Sequence, residues 1–233
     1  MNPLRRRALI LGFLSATSLP AVALAHHPQD FQKYLFEREQ YFQLKGEPAP
    51  AFALQDVDEK ATTLEELRGK AVVLYFIYAG CTDICPIHSA KIADVQEAVN
   101  ATPMRDHVEF IAITTDPAAD TPDILRGHGE AQGLDLSNWT FLTSGPERPE
   151  DTTRKLAEQF GHQFRVTSDG YQVHGIVTYV IDRNGTWSAN FHGLGFETTN
   201  LVLYLNALVN DHHVHAEPIP TNQWSRLRAL LRF

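Results

Sequence analysis

Cysteine is scarce in this chain. Of 233 residues, two are cysteine, Cys81 and Cys85. Neither lies close behind the N-terminal segment, so the acceptor of a bacterial lipoprotein anchor is missing. Positive charge is also short. Twenty Lys and Arg face 28 Asp and Glu, and the formal net charge of −8 argues against nucleic acid as a partner. Long apolar runs are absent from the body of the chain. The strongest, Ala71 to Tyr78, is too short to span a membrane. No internal repeat is visible. What remains is one domain's worth of sequence, 43% hydrophobic, with tails.

The first 25 residues read as a signal peptide. Arg5, Arg6 and Arg7 are basic, Ala8 to Leu14 is apolar, and Ala23-Leu24-Ala25 is a small-x-small cleavage site. Arg6-Arg7 followed by Ala8, Leu9 and Ile10 is weakly compatible with a twin-arginine signal. Export to the bacterial periplasm is the expectation, with membrane association only if the segment stays uncleaved. Gly12, Ser15, Thr17, Ser18 and Pro20 make it a poor span. Export places the two cysteines in an oxidising compartment. Residues 26–45 form an N-terminal extension with a short helix. His26 would carry the new amino group, and a solvated end is its plainest reading.

The chemistry gathers at residues 71–99. The Val- and aromatic-rich run from Ala71 reads as a strand buried on both faces. Ala79 and Gly80 end it, and Cys81, Cys85 and Pro86 follow. Proline suits the first turn of a helix and restrains the residue before it. The helix is therefore expected from about Pro86, with Ile92, Val95 and Val99 as its buried stripe. Helix N-terminal N–H groups favour a thiolate. Two thiols four residues apart can close a disulfide or chelate a soft metal ion. A disulfide here would close a loop of three intervening residues and gain little in loop entropy.

Around this core the chain alternates strands and helices. Phe52 to Leu54 is a short strand, Asp58 to Lys60 a turn, and Thr63 to Leu67 a short helix. His107 to Thr114 is a second apolar strand. A helix follows from about Pro122 to His128, then a strand at Asn138 to Leu142 and a helix at Asp151 to Phe160. Phe164 to Thr167 and Val173 to Ile181 read as strands about the Ser168-Asp169-Gly170 turn. Asn184-Gly185 joins a hairpin, expected at the sheet's antiparallel edge. Thr198 to Leu208 is the last helix. The pattern predicts an α/β domain over 46–210 with a central mixed β-sheet flanked by helices and an N-terminal hairpin extension. Residues 211–233 form a tail bearing His212, His213 and His215, read as solvated.

Three motifs then match one family. Phe76-Ile77-Tyr78 precede Cys81-Thr82-Asp83-Ile84-Cys85-Pro86. Thr115-Asp116-Pro117 runs on to Asp120-Thr121-Pro122. Tyr171 and Val173 precede His174 and the apolar run Ile176 to Asp182. In this order they resemble the Sco/SenC family of copper-binding proteins, over about residues 46–208. The resemblance implies a thioredoxin-like fold. It also implies one copper ion on Cys81, Cys85 and His174, delivered to the dinuclear copper centre of cytochrome c oxidase. The partner would be the subunit that holds that centre, or another periplasmic copper or thiol protein. Thr82 stands where the family has Pro, Val173 where it has Asp, and Gly175 where Ser is common. Losing the carboxylate beside His174 bears on metal affinity, since ligating histidines lean on such acceptors.

The competing expectation is a thiol-disulfide oxidoreductase using Cys81 and Cys85 as a redox pair. His88, three residues after Cys85, shares the stripe with Ile92 and Val95 and reads as a packed histidine. Asp116 and Asp120 read as holding the loop after the second strand.

Overall fold

The computed structural model describes residues 35, 37–145, 148–162, 164–166 and 172–210, with backbone alone at 164–166 and 172–174. The strands are β1 (Phe42–Pro48), β2 (Ala53–Asp56), β3 (Ala61–Thr63), β4 (Ala71–Ile77), β5 (Val108–Thr114), β6 (Trp139–Thr143), β7 (Phe164–Val166), β8 (Gln172–His174), β9 (Val177–Ile181) and β10 (Thr186–His192). The helices are α1 (Ile84–Asn100), α2 (Pro122–Ala131), α3 (Thr152–Gln159) and α4 (Thr198–Asn210).

β4 and β5 are buried along their whole length. They pair in parallel from Ala71↔Val108 to Ile77↔Thr114. A strand alternates its side chains between faces, so burial along its full length demands a layer on each side. Val73, Tyr75 and Ile77 meet Ile92, Val95 and Val99 of α1 and Leu201, Leu205 and Leu208 of α4. Val72, Leu74 and Phe76 meet Leu156, Phe160, Tyr179 and Trp187 on the other face. The expected stripe of α1 is thus the one that packs.

The main sheet runs β1-β10-β9-β4-β5-β6-β2-β3. β4, β5 and β6 are parallel, and the pairs on either side of them are antiparallel. This is the mixed, thioredoxin-like α/β sheet expected, with two corrections. The β9–β10 hairpin does not form the edge. β1 pairs with β10 from Phe42↔Phe191 to Pro48↔Thr186 and covers it, so the buried Ala189 and Phe191 lie inside the sheet. β2 and β3 sit at the opposite edge, so the N-terminal stretch crosses from one side to the other.

The second correction concerns the strand expected over Val173 to Ile181. It is two strands. β8 pairs with β7 in a separate two-stranded sheet, while β9 joins the main one. The break falls at Gly175 and Ile176, where the Ile176 carbonyl accepts from the Gly193 N–H at 2.7 Å, off the end of β10.

Candidate dithiol site

The site lies at the C-terminal end of β4. After the strand, the Cys81 N–H donates to the Tyr78 carbonyl at 3.1 Å and turns the chain. The helix then starts earlier than expected. α1 begins at Ile84, not Pro86, with Asp83 at its N-cap position. Pro86 is tolerated because first-turn residues have no intrahelical acceptor for their N–H groups. Cys85 is therefore helical, and its backbone N–H points back at Cys81 Sγ, 3.4 Å away.

Both cysteines stand as thiols, 3% and 2% exposed, packed with Tyr78 and Ile84. Their environments differ. Burial disfavours the Cys81 thiolate, but the N–H groups of Cys85, Asp83 and Ile84 outweigh it and bring that pKa below its ordinary value. Burial pushes Cys85 up to about 12, against the Tyr78 N–H and with help from Cys81 and Asp120. At neutral pH, iodoacetamide should therefore modify Cys81 before Cys85 in the reduced protein. Peptide mapping by mass spectrometry reads the order, and the reverse order would contradict this asymmetry.

The loop after β5 is tied to the cysteine loop. The Thr115 N–H and hydroxyl donate to the Ile77 carbonyl at 2.7 and 3.1 Å. Asp120 is buried, and its Oδ2 accepts from the Ala79 N–H at 2.9 Å and the Thr114 hydroxyl at 2.5 Å. Burial raises the pKa of this carboxyl. Asp120 holds its own loop, as expected, but its reach to Ala79 had no sequence signal, since the two residues lie 41 apart.

His88 is buried as a packed histidine. Its Nε2 lies 2.9 Å from Thr178 Oγ1, and its ring meets Tyr75 edge-on at 4.8 Å. The Tyr75 hydroxyl lies 2.9 Å from Ser89 Oγ, which lies 3.0 Å from His128 Nε2.

For His174 the backbone is described. β9 runs antiparallel to β4 with Leu74 opposite Tyr179, so β9 starts level with the end of β4 where the cysteine loop leaves. His174 precedes Val177 by three residues, at most about 10 Å of extended chain. Cys81 and Cys85 are brought together at the mouth of α1, whereas His174 ends β8 in the two-stranded sheet with β7, just ahead of β9. Among the described residues no group of three or more His, Cys, Asp or Glu side chains converges on a metal position. The signal segment, His26 and the tail histidines His212, His213 and His215 lie outside the described residues. Among those described, no helix is long and apolar enough to cross a membrane.

The site is thus that of a thioredoxin-like domain with two buried cysteines at a helix mouth. The SCO1/SenC family matches residues 43–207. The chain belongs to the SCO1/SenC family.

The chain is similar to a SCO1 protein homologue of Bacillus subtilis, 34% identical over 92 residues, which are 40% of this chain and 47% of that one. It thus spans about half the length of that relative. Among solved structures, BsSco, a member of the Sco family of cytochrome c oxidase assembly proteins, aligns with a TM-score of 0.63. It is 22% identical, over 72% of this chain and 96% of that one. Bradyrhizobium japonicum ScoI with copper bound aligns with a TM-score of 0.57. It is 26% identical, over 69% of this chain and 99% of that one.

Proposed function

We propose that this protein is a copper-binding assembly factor. It takes one copper ion on the sulfurs of Cys81 and Cys85 with the imidazole of His174. It delivers the metal to the dinuclear copper centre of cytochrome c oxidase, working as an exported protein in the bacterial periplasm.

The observation that carries this reading is the pairing of two buried sulfur groups across a 3.4 Å Cys85 N–H to Cys81 Sγ contact at the mouth of α1. Two thiolates suit Cu(I), and a buried, apolar pocket of Tyr78 and Ile84 limits access of water to it. The family's copper-bound member supports the choice of metal. Loading releases the thiol protons, and the N–H groups aimed at Cys81 already favour its charged form.

Titration of the reduced protein with Cu(I) against a competing chelator tests this. One copper per chain is expected. His174→Ala should weaken binding more than tenfold while both thiols still react with a disulfide reagent. If wild type and His174→Ala bind alike, the three-ligand site is wrong. If neither binds and both reduce a disulfide substrate, the pair serves thiol–disulfide exchange instead.

A further inference from the structure

α1 spends three buried positions, His88, Ser89 and Gln96, on polar side chains that the proposed copper ligands do not need. One of them, His88, is 4% exposed and lies three residues past Cys85. Its partner Thr178 is fully buried and is the second residue of β9, four residues past His174. The 2.9 Å contact between His88 Nε2 and Thr178 Oγ1 therefore joins the helix that carries Cys85 to β9, the strand that begins three residues after His174. The edge-on Tyr75 ring fixes the imidazole plane, and Tyr75 is itself held through Ser89 on the same helix.

Apolar side chains would fill this volume. They would hold α1 and β9 together through many individually weak contacts. A hydrogen bond between two buried groups adds a set distance and direction, and an unmatched buried partner is costly. We propose that His88 and Thr178 are positioning residues. Their bond sets the spacing between the dithiol and the segment bearing His174, and so the geometry offered to copper. This rests on the copper reading above. Neither residue touches the metal in this scheme; each acts through the element it holds.

The test compares two replacements of Thr178. Thr178→Val keeps the shape and removes the hydroxyl, whereas Thr178→Ser keeps the hydroxyl. Each is assayed for Cu(I) affinity by chelator competition and for the sulfur-to-copper charge-transfer band after loading with Cu(II). Thiol count and thermal unfolding of the metal-free protein are measured alongside. Thr178→Val is expected to bind copper about tenfold more weakly, the scale seen when groups supporting metal ligands are removed, and to shift the band. Its thiol count should not change. Thr178→Ser should stay within about twofold of wild type with the band in place.

Should Thr178→Val fail to fold, His88→Leu and His88→Gln make the same comparison. The amide of Gln reaches about as far as Nε2, so Gln should retain binding and Leu should lose it. Wild-type affinity and an unshifted band in Thr178→Val, or in His88→Leu, overturn the positioning role and leave the copper reading standing. A wild-type protein that takes up no copper overturns both.

Discussion

Reduced Cys85→Ser protein is expected to hold Cu(I) more than about 100-fold more weakly than wild type, beyond the 10–100-fold range for loss of a supporting group. Serine replaces a soft sulfur donor with a hard hydroxyl, which Cu(I) disfavours. In the proposed site one sulfur and one imidazole would remain as donors, and the N–H groups aimed at Cys81 would stabilise its charge without adding a ligand. The fold should survive. Cys85 is 2% exposed, but the Tyr78 N–H directed at its sulfur can serve the serine hydroxyl instead. A chelator competition series gives the affinity, and circular dichroism confirms the fold. Copper held as tightly by Cys85→Ser as by wild type would remove the dithiol from the site.

Phe76→Ala should give the largest loss of stability. Phe76 projects from β4 into the second core layer, with ring centroids 5.8 Å from Phe160, 5.5 Å from His162 and 5.8 Å from Tyr179. Truncating a buried Phe costs about 3–5 kcal/mol, because the cavity closes only in part. Domains are stable by about 5–15 kcal/mol in all, so this change should consume a large share. Urea denaturation should show a lower midpoint with an unchanged slope. A midpoint within error of wild type would show that the layer collapses around the gap. The neighbours matter for the site as well, since Tyr179 lies on β9 one residue past Thr178.

Much of this architecture was legible in the sequence because it rests on local pattern. The apolar runs from Ala71 and His107 are the two central strands, and Ile92, Val95 and Val99 face the core as their spacing implies. Asn184-Gly185 turns the hairpin. The misreadings have physical causes. β1 has the sequence FQLKGEP, with Gly and Pro and no clean alternation; it becomes a strand because β10 offers it an edge. The run through His174 looks continuous in composition, but Gly175 lets the chain leave the sheet. Cys85 enters the helix although Pro86 follows it, since first-turn N–H groups lack intrahelical acceptors anyway.

At the site, Cys81 and Cys85 could be picked out because they are the chain's two cysteines. The bonds around them could not. Asp120 to Ala79 and His88 to Thr178 join residues 41 and 90 positions apart, and nothing in local periodicity encodes such a meeting. Thr178 in particular reads as an ordinary β-branched strand residue until its imidazole partner is seen.

The pairing of β1 with β10 has a consequence for how the molecule comes into being. Phe42 lies opposite Phe191 in the ladder, so nearly the whole polypeptide has to emerge before β1 can pair along its length. Such distant closure makes for slow completion. A nascent chain stalled short of residue 186 would leave β1 without the strand it pairs with.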